Sequence, residues 1–533
     1  MARERIERSA AWTRLTTEHW DVLVIGGGIT GAGVAREAAR RGLKTALVEQ
    51  RDYAWGTSSR SSKMVHGGLR YIAQGDIKLT WHSLTERERL LVEAPGLVSR
   101  MGYWFAHYKR VFPGPFAFGL LVRLYDLLAG VRDHRFFRKA DFLARMPGYR
   151  DERLTGASRY TDALVDDSRL VQRVLDEAQA DGALLLNYVK AESLLMADGQ
   201  VTGLALRDDI GGASAEVKAS VVINATGAWA DRLREKLAGE KKVRPQRGSH
   251  LVLAPGRLPL EEAVIFMHAE DKRPLFIYPW EGRTVIGTTD LDHRDDLDTE
   301  ASITAQEVDY MLRGANAQFP RAALGTADVI ATFSGVRPIV ASGSGVNPSA
   351  ERRDHSVWDD AGLITVTGGK LTTFRLIALD ALALAAKHLP ALDARDSKAP
   401  VFRAVAPLES ARPAGDLKRL KGRFGLHTAQ FLREARVEEL ETVPLVETLW
   451  AELRWAARYE QVEHLDDLLL RRTRLGLLLP EGGMGHLLRI RTVCQAELGW
   501  DDARWAAEAE RYRDIWLRHY SLPTVPSSHS AAA

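Results

Sequence analysis

The sequence has very little cysteine: Cys494 is the single one among 533 residues. An intramolecular disulfide needs two cysteines, and iron–sulfur clusters or multi-cysteine metal sites need several, so all of these are excluded. Such low usage is typical of a protein kept in a reducing compartment. We therefore expect no disulfide and no metal site.

Long apolar runs and an excess of one charge are absent as well. No apolar run approaches the roughly 18 residues that a membrane-spanning helix needs. The first twenty residues carry Arg3, Glu4 and Arg5 with no apolar stretch behind them, so we expect no secretory signal. The 73 Lys and Arg nearly balance the 70 Asp and Glu, which gives no general reason to expect nucleic acid as a partner. Composition favours a soluble, intracellular chain of several domains at roughly 150 residues each.

The N-terminal part has the pattern of a βαβ unit. Residues 21–25 (DVLVI) form a short apolar run that ends in glycines, as a buried parallel strand does. Residues 30–41 predict a helix, and residues 45–48 predict the second strand. The loop between the first strand and the helix is therefore the place to look for a nucleotide site.

That loop carries a dinucleotide-binding motif. Its glycines permit a tight turn and a close approach of the backbone to a pyrophosphate, and the helix N-terminus offers N–H groups to the phosphates. Glu49 lies 21 residues after Gly28, where a carboxylate binds the ribose hydroxyls, which favours FAD or NAD over NADP. An ordinary glycine-rich turn is the alternative. The predicted binding positions in the loop are Gly26, Gly28, Ile29, Thr30 and Gly31.

A polar segment, residues 57–71 (TSSRSSKMVHGGLRY), lies just beyond the predicted second strand. Taken alone it reads as a polar loop. After a dinucleotide-binding strand, its hydroxyls and glycines are well placed to hydrogen-bond a pyrophosphate and an isoalloxazine ring. Arg70 would then point toward an anionic substrate.

Further polar segments adjoin predicted strands in the middle of the chain. Residues 224–229 follow a strand, residues 248–250 begin one, and residues 334–338 follow a strand at 329–333. Residues 368–373 join a strand to a helix, whose N-terminus can bring positive charge to the pyrimidine end of a flavin. Each Arg or His in these segments is by itself more often a surface or ion-paired residue. Their joint occurrence at strand ends indicates a site.

Together these segments resemble the quinone-linked, FAD-dependent glycerol-3-phosphate dehydrogenases. The resemblance runs from about residue 21 to 388 and continues into the C-terminal part, and its most specific pieces are SSKMVHGGLRY, GSHLVL, FIYPW…VIGTTD, FSGVRP and GGKLTTFR. It implies an α/β fold with a Rossmann-type FAD-binding domain of the glutathione-reductase and D-amino-acid-oxidase kind. An antiparallel-sheet substrate domain would be interleaved with it, and an all-helical C-terminal domain would follow.

The resemblance also implies domain boundaries. The FAD-binding domain would combine residues 18–75, 166–240 and 351–398, and the substrate domain would cover residues 241–350. Residues 76–165 would form a mixed insertion, and residues 407–522 the helical C-terminal domain. In that domain we expect Arg471, Arg472 and Arg474 to make structural or dimer contacts.

The cofactor that the resemblance implies is non-covalent FAD. Its ADP half would lie on the glycine loop and Glu49, and Val189 would contact the adenine through its backbone. The other cofactor positions would be Thr57, Ser58, Ser59, Ser62, His66, Gly67, Gly68 and Leu69 for the pyrophosphate and ring, Ala225, Thr226 and Gly227 after a strand, and Gly369, Lys370, Leu371 and Thr372 at the pyrimidine.

Similar enzymes oxidise sn-glycerol 3-phosphate to dihydroxyacetone phosphate, passing a hydride from C2 to flavin N5. Arg337 and Arg353 would bind the phosphate, because a guanidinium pairs with it through two hydrogen bonds. Lys370 would lie near the flavin C2 carbonyl and the reacting hydroxyl. Arg70 and Tyr71 would line the same pocket.

The C2 hydroxyl must lose a proton as the hydride leaves, so the reaction needs a general base. His250 is the main candidate because imidazole titrates near working pH, and His66 is the alternative. The alternative interpretation of His250 is a structural histidine at the start of a strand, with its hydrogen bonds satisfied and no catalytic role. We expect His250, Lys370 and Arg337 to be the catalytic residues.

A quinone acceptor requires access to the membrane without a spanning helix. Residues 111–122 (VFPGPFAFGLLV), within a wider candidate segment 103–130, carry no charge and are flanked by Lys109, Arg110 and Arg123. Such a segment can dip into the lipid interface, although a buried loop and helix start would have the same composition. We expect a cytoplasmic homodimer, peripheral on the inner face of the cytoplasmic membrane, with glycerol 3-phosphate and a membrane quinone as partners.

Three other functions compete with this one. An oxidase of the same fold would pass its electrons to O2, and a second alternative is an amine or amino-acid oxidase. A flavin-bearing sensor is the third. The set of arginines argues against a neutral amine as substrate, and a sensor needs no proton acceptor such as His250.

Overall fold

The computed structural model describes residues 3–73, 75–239, 241–340, 354–389, 399–409 and 411–523. Within these residues the strands form two sheets. The strands are β1 Trp20–Ile25, β2 Thr45–Val48, β3 Met64–Val65, β4 Val98–Tyr108, β5 Arg135–Arg138, β6 Leu154–Val165, β7 Leu184–Leu186, β8 Val189–Ala197, β9 Gln200–Asp208, β10 Ser214–Asn224, β11 Val243–Leu253, β12 Ala263–Met267, β13 Pro274–Trp280, β14 Arg283–Gly287, β15 Leu291–Asp292, β16 Val329–Val340, β17 His355–Asp360 and β18 Leu363–Gly368.

Helices cover the sheets and make up most of the C-terminal part. They are α1 Arg8–Thr17, α2 Ile29–Ala39, α3 Leu69–Ala73, α4 Ile77–Glu93, α5 Pro115–Ala129, α6 Lys139–Arg145, α7 Asp167–Ala180, α8 Ala230–Ala238, α9 Ala305–Gln318, α10 Phe374–Ala385, α11 Ala414–Phe424, α12 Thr428–Glu434, α13 Trp450–Tyr459, α14 Leu475–Leu478, α15 Leu487–Leu498 and α16 Asp502–His519. A π-helical turn, Asp467–Arg472, precedes α14.

The first sheet has the strand order β17-β18-β10-β1-β2-β7, in which β18, β10, β1, β2 and β7 run parallel. Its central residues Val22, Val24 and Val222 are fully buried, because helices α2, α7 and α10 pack on one face. Helix α1, the hairpin β8–β9 and the first residues of β10 cover the other face. The predicted βαβ unit β1-α2-β2 lies at its centre. This arrangement confirms the predicted Rossmann-type fold.

The second sheet has the order β15-β11-β14-β13-β12-β4-β6-β3, with β16 paired to β11 and β5 to β6. It is antiparallel except where β4 meets β12 in parallel. This pairing joins the stretch predicted as a mixed insertion to the predicted substrate domain. The sequence did not indicate that the two stretches share a sheet, because strand pairing over such a distance leaves no local pattern.

Two strands of the second sheet are longer than predicted. Residues 248–250 lie in the middle of β11 rather than at the start of a strand, and residues 334–338 lie inside β16 rather than after it. The two strands pair continuously from the Val243–Val340 pair to the Leu253–Val329 pair. The hydrogen bonds between the two strands include the backbone of their glycines and serines, residue types that are common in loops. The expected strand start at residues 248–250 and the expected strand end before residue 334 were therefore wrong.

In the C-terminal part, the secondary-structure elements from α11 to α16 are helices and helical turns, which confirms the predicted helical domain. Its apolar residues share a core with the second sheet, where Leu470 and Leu475 pack with Trp280 and Phe333. The C-terminal domain therefore shares a hydrophobic core with the second sheet and is not joined to it by a linker alone. In the described ranges, none of the helices has both the length and the apolar character needed to cross a membrane.

Candidate active site

The glycine loop between β1 and α2 is tightly packed. Gly26 has φ +109°, and a Cβ there would lie 2.6 Å from the carbonyl oxygen of Ala225. A Cβ at Gly31 would lie 1.9 Å from the carbonyl oxygen of Gly26. Only glycine fits at these two positions, so the backbone at the start of α2 is left open to the approach of a phosphate group.

Glu49 lies beside this loop at the end of β2. Its carboxylate accepts the N–H of Gly27 at 2.6 Å and that of Arg51 at 2.9 Å. Burial raises the pKa of Glu49, and the two backbone N–H groups oppose that shift. The Val189 N–H donates to the Glu49 carbonyl at 2.8 Å, which puts the predicted adenine contact next to the predicted ribose contact.

Ser58, in the 3₁₀ turn Thr57–Ser59, reaches the same loop. Its Oγ accepts the N–H of Ile29, the first residue of α2, at 2.9 Å. Strand β10 closes the other side of the loop, where the Ala225 N–H donates to the Ile25 carbonyl at 2.9 Å. The glycine loop, Glu49, Ser58, Val189 and Ala225, which are five predicted stretches, therefore meet here, and their cradle, amides and carboxylate fit the ADP half of FAD.

Thr226 and Gly227 continue the β10 side of this region. The Thr226 hydroxyl donates to Asn224 Oδ1 at 2.7 Å, and the Gly227 carbonyl accepts the Thr367 hydroxyl from β18 at 2.9 Å. These bonds fix the loop after β10 against the neighbouring strand. Thr30 lies in the first turn of α2, within reach of the same N-terminal region.

A buried polar network holds the Gly67–Gly68 turn, which was predicted to face the flavin. The Gly67 N–H donates to Asp162 Oδ1 at 3.0 Å, and the same oxygen accepts Tyr125 OH at 2.6 Å and Arg87 Nη1 at 2.7 Å. No role had been predicted for Asp162, Tyr125 or Arg87. Strand β6 (LTGASRYTDALV) also contains Arg159 and several hydroxyl side chains, so Asp162 does not stand out in the sequence.

Lys370 lies beside the same turn. Its Nζ donates to Ser83 Oγ at 2.9 Å and lies 3.9 Å from the centre of the Tyr71 ring. Thr372 Oγ1 accepts the His66 N–H at 3.2 Å and donates to the His66 carbonyl at 3.3 Å. The structure thus brings together residues 66–71 and 370–372, two separate motifs that are both predicted to contact the flavin.

Arg70, Leu69, Gly369 and Leu371 complete this group. The Arg70 guanidinium lies 6.0 Å from the Tyr71 ring centre, and Leu69 begins α3. Gly369 has φ +74°, and a Cβ there would lie 2.5 Å from Ile377 Cδ1, so the turn before Leu371 requires glycine.

His250 is buried in β11, at a second group of predicted residues. Its Nε2 lies 2.9 Å from Ser62 Oγ, and its ring stacks on Phe333 with 4.4 Å between centres and 8° between planes. Burial lowers the pKa of His250 well below its usual value, and the positive charges of Arg337 and Lys63 act in the same direction. The imidazole is therefore neutral at neutral pH.

Lys63 is a buried cation next to this histidine, and no role had been predicted for it. Its Nζ donates to Asp167 at 2.9 Å and to the Ser59 carbonyl at 2.6 Å, and it lies 4.5 Å from the centre of the Phe333 ring. Burial lowers the pKa of Lys63 to about 7, with the charge of Arg474 adding to the effect and Asp167 opposing it.

Arg337 lies within β16, opposite Gln246 of β11. Its Nη1 donates to Asp290 at 3.1 Å and its Nη2 to Thr288 Oγ1 at 3.0 Å. A Cβ at Gly248 would lie 2.3 Å from Nη2, so glycine there leaves room for the guanidinium. Asp290 orients Arg337 and offsets part of its charge.

Residues 57–71 connect the two groups. Near the start of this segment, Thr57 donates to the Val336 carbonyl and Ser62 contacts His250. Nearer its end, His66 contacts Thr372, which belongs to the other group. Arg353, the second predicted phosphate ligand, lies outside the described residues. Within the described ranges, no three His, Cys, Asp or Glu side chains are grouped as a metal site would require.

A nucleotide cradle on a Rossmann-type sheet, next to a neutral buried histidine and several cations, defines the class of flavin-dependent oxidoreductases. Comparison with known proteins supports this class. A family model described as FAD dependent oxidoreductase matches residues 21–386, and one described as the C-terminal domain of alpha-glycerophosphate oxidase matches residues 400–505.

Curated relatives match along most of the chain. Glycerol-3-phosphate dehydrogenase 2 of Mycobacterium tuberculosis is 37% identical over 531 residues, covering 95% of this chain and 89% of the relative. The aerobic glycerol-3-phosphate dehydrogenase of Staphylococcus haemolyticus is 32% identical over 502 residues, covering 89% and 90%. The chain therefore belongs to the FAD-dependent oxidoreductase family, and within it to the glycerol-3-phosphate dehydrogenases and oxidases, and FAD is its cofactor.

Solved structures agree with this assignment. The glycerol-3-phosphate dehydrogenase from Bacillus halodurans, solved in complex with FAD, superposes with a TM-score of 0.78 at 28% identity and covers 96% of this chain and 97% of its own. The L-alpha-glycerophosphate oxidase from Mycoplasma pneumoniae has a TM-score of 0.56 at 19% identity and covers 69% of this chain, so it shows the shared fold alone.

Proposed function

We propose that this protein oxidises sn-glycerol 3-phosphate to dihydroxyacetone phosphate. The observation that carries the proposal is that residues 57–71 contact His250 through Ser62, Lys370 through Tyr71, and the backbone next to Arg337 through Thr57. The same segment reaches the glycine loop through Ser58. The names of the mycobacterial and staphylococcal relatives support the same substrate. Bound FAD supplies a hydride acceptor at N5.

In this proposal His250 takes the proton of the C2 hydroxyl. A general base must be unprotonated before the reaction, and burial together with the charges of Arg337 and Lys63 keeps His250 neutral. Ser62 holds the imidazole at Nε2 and fixes the orientation of the ring. His66 stays the alternative base, with its backbone tied to Thr372.

Arg337 binds the substrate phosphate in this proposal, with Arg353 as the second predicted ligand. A guanidinium has five N–H donors in a fixed plane, so it can hold Asp290 and a phosphate at once. Lys370, held by Ser83 and the Tyr71 ring, provides a further positive charge at the reacting end. Arg70 and Tyr71 line the same pocket.

Substitution Arg337→Ala tests the phosphate assignment. Losing one or two charge-assisted hydrogen bonds should raise the dissociation constant for glycerol 3-phosphate about 10- to 100-fold, with the FAD content unchanged. Arg257→Ala is the control, because Arg257 pairs with Asp328 on the surface of the same sheet region. Loss of FAD from Arg337→Ala would show that Arg337 is structural instead.

We further propose a membrane quinone as the electron acceptor and peripheral attachment through α5. Phe116 (88% exposed), Leu120 and Leu127 lie on one face of α5, and Phe112 (87% exposed) precedes the helix. The opposite face, with Phe118, Val122 and Tyr125, is buried. An outward apolar face beside exposed Lys109, Arg110 and Arg123 is what an interfacial helix requires.

The acceptor is tested by reoxidation. After anaerobic reduction by glycerol 3-phosphate, the flavin should be reoxidised by a short-chain ubiquinone or menaquinone analogue much faster than by air-saturated buffer. Faster reoxidation by air, with release of hydrogen peroxide, would favour the oxidase alternative and contradict the quinone assignment.

The expected homodimer and cytoplasmic, inner-face location stay predictions, as does the lack of a nucleic-acid partner. Arg471, Arg472 and Arg474 were expected to make structural or dimer contacts. Their side chains are no more than 2% exposed and pair with carboxylates of this same chain, which supports the structural role.

A further inference from the structure

One segment of the C-terminal domain, residues 460–474, contacts several of the segments that hold the cofactor. We refer to it as the clamp segment, and it includes the π-helical turn Asp467–Arg472. π-helical turns are frequent at functional sites, because the extra residue turns side chains out of the regular helical positions. The contacts of this segment point toward the adenosine end of FAD.

The first contact is with the loop after Glu49. Arg472 donates from Nη1 and Nη2 to the two carboxylate oxygens of Asp52, at 2.6 Å each, and Arg471 donates to the same carboxylate. These side chains are essentially inaccessible to solvent. Asp52 lies three residues after Glu49, so this ion pair fixes the loop that orients the predicted ribose carboxylate.

The second contact reaches the glycine loop through Tyr53. A Cβ at Gly27 would lie 2.7 Å from Tyr53 Cδ1, so the tyrosine ring packs directly against the loop. Tyr53 OH donates to Gln461 Oε1 of the clamp segment at 3.2 Å. The clamp segment thus supports the backbone that approaches the pyrophosphate.

The third contact is with the residues before Val189. Asn187 Nδ2 donates to the Gln461 carbonyl at 2.9 Å and to Asp52 Oδ1 at 3.1 Å. Tyr188 OH donates to Asp467 Oδ1 at 2.6 Å. A fourth contact, from Arg474 Nη2 to the Ser59 carbonyl at 2.7 Å, reaches the 3₁₀ turn that contains Ser58.

We propose that the clamp segment is part of the FAD site: Arg472, Arg471 and Gln461 are positioning residues that hold the adenosine-binding loops in the conformation that FAD requires. They do not touch the reacting atoms. Because the contacts converge on the adenosine half, the proposal concerns cofactor affinity and does not depend on which substrate the enzyme oxidises.

The test compares Arg472→Lys with Arg454→Lys in the full-length protein after removal of FAD. Lysine keeps the charge but cannot make the two-point contact with a carboxylate. Arg454 is a matched control, because it is also buried and holds Glu439 through two nitrogens, but both partners lie within the C-terminal domain.

Binding is measured by fluorescence titration with FAD and by calorimetry with ADP as a probe of the adenosine half. For Arg472→Lys we expect both dissociation constants to rise about tenfold or more, and for Arg454→Lys neither should change more than about twofold. Wild-type FAD affinity in Arg472→Lys would overturn the proposal. So would an equal loss in Arg454→Lys, or a loss for FAD without a loss for ADP.

A milder double-mutant cycle covers the case in which Arg472→Lys does not fold. Tyr53→Phe removes the hydroxyl and keeps the ring on Gly27, while Gln461→Met removes the acceptor at similar volume. Each single variant should weaken FAD binding about 2- to 10-fold, and the double variant should be no weaker than the worse single variant. Effects that simply multiply would contradict the proposal.

Discussion

At the scale of single residues, the electrostatic environment of His250 decides what it can do. An exposed imidazole titrates near 6.5 and would be partly protonated near neutral pH. Here burial and two neighbouring cations keep the ring neutral, and Ser62 fixes its orientation. A buried histidine of this kind suits a proton acceptor better than a phosphate ligand.

Replacing His250 tests that role. We expect His250→Gln to slow reduction of the flavin by glycerol 3-phosphate about 10²- to 10⁴-fold, measured by anaerobic stopped flow, with FAD still bound. His268→Gln is the matched control, since His268 is also buried and stacked, on Tyr310 at 3.8 Å between ring centres, in another part of the sheet. Equal rates in the two variants would exclude His250 and leave His66 as the base.

The pH dependence of flavin reduction follows from the lowered pKa of His250. The pKa of His250 is lowered in the folded protein, so the neutral form should persist below pH 6.5 and be lost only when the pH falls through that lowered pKa. The rate constant for flavin reduction at saturating substrate, which does not depend on titration of the free substrate phosphate, should therefore stay level between pH 8 and about 6.5. A half-maximal rate at pH 6.5 or above would show an unperturbed base.

Some residues of the site could be predicted from the sequence and others could not. Gly26, Gly31 and Glu49 follow a local motif, because the turn and the ribose contact both depend on spacing along the chain. Lys63 and Asp162 were missed because their significance comes from burial. A charged side chain indicates a site only when the folded strands exclude water from it, and the local sequence does not show which charges become buried.

At the scale of elements, the sequence predicts short-range units better than pairing partners. The βαβ unit β1-α2-β2 was evident from its apolar runs and the glycines between them. The lengths of β11 and β16 were underestimated, because their glycines and serines indicate loop until the partner strand is known. The parallel contact between β4 and β12 had no signal in the sequence.

Helix α5 is the element that best suits contact with lipid. We expect Phe116→Asp combined with Leu120→Asp to lower binding to vesicles containing phosphatidylglycerol about 10- to 100-fold, because two apolar side chains no longer leave water. Val437→Asp is the control, since Val437 is 84% exposed in the C-terminal domain. Sedimentation with vesicles measures the effect, and undiminished binding of the double variant would exclude α5 as the attachment site.

At the scale of the whole molecule, the chemistry depends on joining parts that are distant in sequence. Residues 57–71 lie between the glycine loop, the β11–β16 pair and the turn at Gly369–Lys370, so one segment connects the cofactor and substrate sides. The clamp segment of the C-terminal domain contacts the loops that are predicted to bind the adenosine half of FAD. A single cysteine, Cys494, is buried away from these segments, and burial raises its pKa.

The oxidation of glycerol 3-phosphate is tested most directly by mixing the purified, FAD-loaded protein with that compound under strictly anaerobic conditions while recording the flavin absorbance. The absorbance band of the oxidised flavin should bleach with sn-glycerol 3-phosphate and persist with glycerol, which lacks the phosphate. Persistence of the oxidised spectrum with saturating glycerol 3-phosphate would contradict the proposed function.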